Sequence, residues 1–167
     1  MIRRARSDEI EAIRDIERSA AAKFRGSAFD FIADGEPDDA GLVAEAIAAG
    51  LAWVAVDADG GPVGFLTALA IDEGLYLKEI DVAAEIQGAG IGRALVAALA
   101  GEAGKRGCPA IWLRTFRDIP WNAPWYARLG FAVAGDGEPA SIAAALRDHE
   151  RAAGLDPTTR CTMLMRL

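Results

Sequence analysis

The run Gln87-Gly88-Ala89-Gly90-Ile91-Gly92-Arg93 stands between a strand-like stretch and a helix-like one. That placement matters more than the glycines themselves. The first turn of a helix carries N–H groups with no intrahelical partner and a partial positive charge. Glycines let a bulky anion approach the backbone, so a phosphate or pyrophosphate is the natural guest. Arg93 adds a charge-assisted donor. Two familiar phosphate motifs do not fit. A dinucleotide fingerprint needs a third glycine where Arg93 stands, and a Walker loop needs a Gly-Lys-Ser/Thr ending that is absent. A glycine-rich turn that holds no ligand is the remaining alternative.

Two carboxylates precede the turn. Glu79 and Asp81 lie in the run Leu75 to Val82. Strand alternation puts Leu77, Glu79 and Asp81 on one face and Lys78, Ile80 and Val82 on the other. A buried carboxyl has a raised pKa and takes a proton, directly or through water. A solvated strand face or a salt bridge is the alternative. Further on, Asn122 caps a short helix, with Pro124 tolerated in its first turn. His149, the one histidine, sits in the charged run Arg147-Asp148-His149-Glu150-Arg151 and reads as surface.

The elements that must position these residues follow from periodicity. Ile2 to Ala5 is a short strand. Ser7 offers an N-cap, and Ile10, Ile13, Ile16, Ala20 and Phe24 recur at three- and four-residue steps, so a helix runs to about Lys23. A loop covers Phe24 to Pro37, and a second helix Asp39 to Ala49, with Gly50 just past its end. Then the period changes to that of strands. Leu51 to Asp57, Val63 to Ile71 and Leu75 to Val82, joined by tight turns, predict an antiparallel meander. A long helix follows over Gly90 to Gly104, then a strand at Ala110 to Phe116 and a short helix at Pro124 to Leu129. A strand at Phe131 to Ala134, a helix at Ser141 to Ala153 and a last strand at Arg160 to Leu167 complete a mixed α/β sheet with a crossover in the middle.

Composition excludes several classes. The chain has 167 residues, enough for one domain over 1–167 with a sizeable core. It is 52% hydrophobic and 26% charged, a globular balance. Its net charge is −7 and no Lys/Arg block stands out, which argues against nucleic acid as a partner. Cys108 and Cys161 lie far apart, without a CxxC, and read as free thiols in a reducing compartment; with one histidine, no metal site is expected. The basic start Met1 to Arg6 leads into Asp8, Glu9 and Glu11, not an apolar segment, so no signal peptide is expected. The longest apolar stretch, Ala46 to Val56, is too short to span a bilayer. The expectation is a cytoplasmic protein that does not engage membranes.

The glycine run now gains a context. Gln87-x-x-Gly90-x-Gly92 resembles the Q/R-x-x-G-x-G/A motif of the GCN5-related N-acetyltransferase (GNAT) superfamily. Upstream, Glu79-Ile80-Asp81-Val82 resembles the end of that family's fourth strand. Downstream, Trp125-Tyr126-Ala127-Arg128-Leu129-Gly130-Phe131 resembles its Leu-Tyr-x-x-x-Gly-Phe segment. The motifs concentrate in residues 75–131, and the order of elements agrees over nearly the whole chain. The resemblance implies a mostly antiparallel, twisted sheet splayed at strands 4/5, with helices on both faces. It also implies acetyl transfer from acetyl-CoA to an amine by direct attack in a ternary complex.

The same resemblance assigns roles. The pyrophosphate of acetyl-CoA would lie on Gln87, Gly88, Ala89, Gly90, Ile91, Gly92 and Arg93. The pantetheine arm would run along Ile80, Asp81 and Val82 like an added strand. A backbone N–H at that strand's end would polarise the thioester carbonyl. Tyr126 matches the family's general acid, since a phenol can protonate a departing thiolate. Glu79 is favoured over Asp81 as the base. The family's CoA-contacting Asn stands about seven residues before the tyrosine, where this chain has Ile119; Asn122, four before it, either takes that contact or only caps the helix. The acceptor would enter near the loop Phe24 to Pro37, past Phe29, Phe31 and Asp34, with Asp118 and Trp121 beyond. Asp30 and Trp125 belong to the same surroundings, and Arg25 would equally suit a carboxylate. The substrate would be a small-molecule or peptide amine. Many proteins of this fold dimerise; the sequence does not fix the oligomeric state, and a homodimer would be expected to use the last strand and helix 141–153. Two rivals remain: a non-catalytic acyl-CoA-binding module of the same fold, and a nucleotide-binding fold of another class.

Overall fold

The computed structural model describes residues 1–37, 39–135, 138–141 and 143–167, and only the backbone of 144, 145 and 149. Ile142 and the His149 side chain, both read above as part of a late helix, therefore lie outside the described residues. The chain divides into two compact units, 1–69 with 79–99, and 70–78 with 100–167.

In the first unit, β1 (Ile2–Arg4) leads to α1 (Ile10–Ala21). Ser7 does not cap α1 as expected. It opens a single 3-10 turn, Ser7–Glu9. Glu9 closes that turn and leaves α1 without a side-chain cap: its Oε2 accepts from the Arg6 N–H at 2.9 Å, and Arg3 donates to both its oxygens at 2.9 and 2.5 Å. The Arg3 hydrogen bond leads the effects that hold the Glu9 carboxyl below its ordinary range. The apolar stripe of α1 buries Ile13 and Ile16 against Val43 and Ala46 of α2 (Ala40–Ala48), Val54 of β2 (Ala52–Val56) and Phe65 of β3 (Pro62–Ile71). Asp39 caps α2 through the Gly41 N–H at 2.7 Å, and Gly50 follows with φ of +66°, as the sequence predicts. The loop from Phe24 to Pro37 contains a 3-10 segment, Asp30–Asp34.

β3 is joined by the short turn Asp72–Glu73 to β4 (Gly74–Val82). At the far end, the Ala83 N–H donates to the Val63 carbonyl at 2.9 Å. α3 (Ile91–Lys105) follows and buries Leu95, Leu99 and Ala103, spaced four residues apart on one face.

The second unit is built on β5 (Ala110–Phe116), a run of apolar residues with Ile111 and Leu113 fully buried. It pairs antiparallel with β7 (Arg160–Arg166) along its whole length, Ala110↔Arg166 through Phe116↔Arg160. α4 (Ala123–Ala127), β6 (Ala132–Val133) and α5 (Ala143–Ala152) lie between them in sequence. β4 pairs parallel with β5 through Leu75↔Ile111 and Tyr76↔Trp112. Gly74 is what permits this: its φ is +136°, and a Cβ there would stand 2.2 Å from the Ala110 carbonyl oxygen. The Trp112 Nε1–H donates to the Glu73 carbonyl at 3.1 Å beside it.

The seven strands form one mixed sheet in the order β1-β2-β3-β4-β5-β7-β6, with β4/β5 the parallel pair. Each expected strand and helix is present within a few residues of its predicted bounds. Among the described residues, no helix is long and apolar enough to cross a membrane.

Candidate active site

The first unit presents the glycine turn. A single 3-10 turn, Ala84–Ile86, leaves β4, and the Ser19 hydroxyl accepts from the Ala84 N–H at 3.1 Å. Gly88 and Gly90 take φ of +86° and +80°, and a Cβ on either would meet nothing within 4 Å. L-residues avoid this conformation, and the open space leaves the backbone approachable. The 15-residue helix α3 starts directly afterwards. Gly88, Ala89, Gly90 and Arg93 are exposed, while Ile91 and Gly92 are half-buried. Gln87 serves the turn itself, since its Nε2 donates to the Val82 carbonyl at 2.9 Å.

Ile80, Asp81 and Val82 are half-buried at the end of β4. The Asp81 side chain is 12% exposed, and Lys23 Nζ lies 3.6 Å from its Oδ1. Burial pushes the Asp81 carboxyl well above the usual carboxylate range. The charges of Glu79 and Glu17 push the same way, and Lys23 opposes them.

The loop of α1 has a different character from its sequence. Asp34 pairs with Arg25 at 2.7 Å, both exposed, and Asp30 accepts from the Gly26 N–H at 2.6 Å. Both acids are engaged within their own loop. Phe29 is half-buried and Phe31 is 51% exposed.

The second unit presents Asn122 and Tyr126. The Asn122 carbonyl accepts from the Trp125 and Tyr126 N–H groups at 2.8 and 3.0 Å. Its side chain does not cap α4. It donates instead to Thr115 Oγ1 at 2.8 Å, and its Oδ1 is buried without a hydrogen-bond partner. Tyr126 is 8% exposed, edge-on to Trp125 and Phe131 with ring centroids 4.8 and 5.6 Å away. Asp118 is exposed, and Trp121 is 41% exposed.

The acetyltransferase (GNAT) family model matches residues 11–131. The chain belongs to that family. Streptothricin acetyltransferase of Streptomyces lavendulae is 38% identical over 109 residues, a match covering 59% of this chain and 56% of that protein. The chain thus matches little more than half the length of this curated relative. A GNAT-family acetyltransferase from Staphylococcus aureus shares the fold with a TM-score of 0.76 at 17% identity, over 100% of this chain and 98% of that one. PaiA N-acetyltransferase of Thermoplasma acidophilum, solved in complex with coenzyme A, gives 0.70 at 16%, again over 100% and 98%.

Three residues of this GNAT chain that bear on the site escape a reading of the sequence. Lys23 and Glu17 meet Asp81 from α1 and its end, more than fifty residues away, and nothing in their spacing announces it. Thr115 does leave a trace, as a polar residue inside the buried run of β5.

Proposed function

We propose that the chain is an acetyl-CoA-dependent N-acetyltransferase, one domain over residues 1–167, acting on a primary amine of a small molecule or peptide. The turn ahead of α3 carries this reading. Two glycines with positive φ and open space above them, at the start of a long helix, fit a pyrophosphate group. The orphaned Asn122 Oδ1 fits an amide N–H, which the pantetheine arm offers.

Bound acetyl-CoA supplies an acyl thioester open to attack by an amine. The chain's own groups do the following. Backbone N–H groups from Gln87 to Gly92 hold the pyrophosphate, and Arg93 adds charge. Main-chain atoms of Ile80, Asp81 and Val82 present a strand edge to the arm, and the last N–H polarises the carbonyl. Asp81 takes the proton of the acceptor ammonium so that the amine attacks neutral; burial, and after it the charge of Glu79, keeps its pKa high. The Tyr126 hydroxyl donates to the departing thiolate. Phe29, Phe31 and Asp34, with Asp118 and Trp121, contact the acceptor. The Streptomyces relative supports streptothricin as the first acceptor to try.

Thermal shift with acetyl-CoA, CoA, NAD and ATP in parallel tests the cofactor. A ligand at about 100 times its Kd stabilises by about 2.7 kcal/mol, which for this size is roughly 5–10 °C in Tm. Shifts with acetyl-CoA and CoA alone support the reading; a shift with NAD or ATP and none with CoA sinks it. Binding of acetyl-CoA without turnover of any amine would leave a CoA-binding module of the same fold.

A further inference from the structure

The second unit holds a cleft of about 370 Å³ whose lining includes neither Tyr126 nor Asn122. Four arginines line it, Arg114, Arg117, Arg147 and Arg160, together with Glu138. This is a concentration of positive charge in a chain whose net charge is −7.

The four arginines are not equivalent. Arg114 is saturated and forms the floor. It donates to both Glu150 oxygens at 2.7 and 3.0 Å, to Glu138 Oε1 at 2.7 Å, to Thr162 Oγ1 at 3.1 Å and to the Pro157 carbonyl at 3.3 Å. Arg160 lies over the Phe116 ring at 4.8 Å and donates to Glu150 at 2.6 Å and to the Arg114 carbonyl at 3.1 Å. Arg147 pairs with the other Glu138 oxygen. Arg117 is exposed, and among the described residues its guanidinium makes one long hydrogen bond, Nη2 to the Arg160 carbonyl at 3.4 Å.

Among the described residues, two carboxylates therefore serve three guanidiniums, and the fourth makes no ion pair. Cys161, also on the lining, adds no negative charge, because burial raises its thiol pKa. Asp118 acts on Cys161 but does not line the cleft. The ion pairs lock Arg147 and Arg160 in place, so little side-chain freedom is lost when an anion arrives. A guanidinium fork meets carboxylate or phosphate oxygens two at a time, and the volume suits a small molecule.

We propose that this cleft is a binding site for a small dianion, a phosphate or a dicarboxylate, gripped by Arg117 with Arg147 and Arg160 and separate from the acyl-transfer groups. Its test is calorimetric titration of the full chain with inorganic phosphate and, separately, with succinate, with and without saturating CoA. Saturable binding of at least one anion is expected, persisting when CoA fills its own site. Whichever of the two binds fixes the class. Arg117→Gln should weaken it about tenfold or more while leaving Tm and CoA affinity unchanged, and Arg147→Gln should weaken it as well. The proposal falls if neither anion gives saturable heat or if CoA displaces the anion, which would place it on the glycine turn. It falls equally if both variants bind as the parent does.

Discussion

Asp81 stands where opposing charges meet. Burial, Glu79 and Glu17 favour its neutral form, and Lys23 favours the carboxylate. A base must be ionised to work, so kcat/KM should rise with pH through the elevated pKa of Asp81. Asp81→Asn should abolish that limb and lower kcat by about 10²–10⁴. Lys23→Met removes the opposing ammonium and should move the limb to higher pH; a limb that stays put in both variants belongs to another group. Tyr126→Phe should cost a similar factor in kcat with acetyl-CoA affinity kept, and unchanged turnover would remove the phenol from the chemistry. Asn122→Ala should raise KM for acetyl-CoA about tenfold with little change in kcat, one lost buried hydrogen bond being worth about 1–1.5 kcal/mol. At this scale the sequence was informative where a residue's type alone constrains the backbone. Gly88 and Gly90 could be recognised because positive φ needs glycine. The surroundings of Asp81 could not be read that way, since Lys23 and Glu17 reach it only through the fold.

β4 is the element on which most of this converges. Its early residues pair with β5 and its last ones carry Asp81 and the strand edge. Gly74 opens it under tight constraint, so Gly74→Ala tests the strand. The added methyl meets a backbone carbonyl, and the cost should be about 2–4 kcal/mol, or roughly 5–15 °C in Tm. Gly60→Ala is the control. It has positive φ with nothing within 4 Å, so strain without collision should cost less. Equal losses in calorimetry would mean that the Ala110 contact is not what makes Gly74 necessary. Strand and helix periods made nearly all the elements legible, because each buries one face. The start of α1 departs from its sequence for a local reason: Glu9 binds back to the Arg6 N–H and to Arg3, which closes a 3-10 turn over Ser7 and moves the helix start to Ile10.

For the molecule as a whole, the buried pairs set the response to acid. Hydrogen bonding to Arg3 lowers the Glu9 pKa. Burial raises that of Glu138, but Thr162, Arg114 and Arg147 more than offset it. Groups with lowered folded pKa stabilise fully above their ordinary value near 4.5 and lose that contribution as pH falls below it. Asp81 has the opposite sign: it favours the fold at low pH and costs stability as pH rises through its folded pKa. Unfolding followed between pH 6 and 3 should therefore show falling stability, and Glu9→Gln should flatten the fall. Glu150→Ala removes a carboxylate only 5% exposed that Arg114 and Arg160 share, leaving Arg114 with Glu138 alone as its ion-pair partner among the described residues, at a cost of about 3–5 kcal/mol. None of this network was visible in the sequence, since Arg114, Glu138 and Glu150 are far apart along the chain and share no period. The unit boundaries at 69/70, 78/79 and 99/100 fall inside β3, β4 and α3. During synthesis, then, the first unit is complete once residue 99 has left the ribosome. Residues 70–78, already made, gain their parallel partner only with β5. β5 in turn waits for β7, which is made last of the strands and is also the neighbour of β6. A stop codon just before Arg160 would thus strip two strands of their antiparallel partner at once, and leave the nascent chain with a finished first half and an open, apolar second.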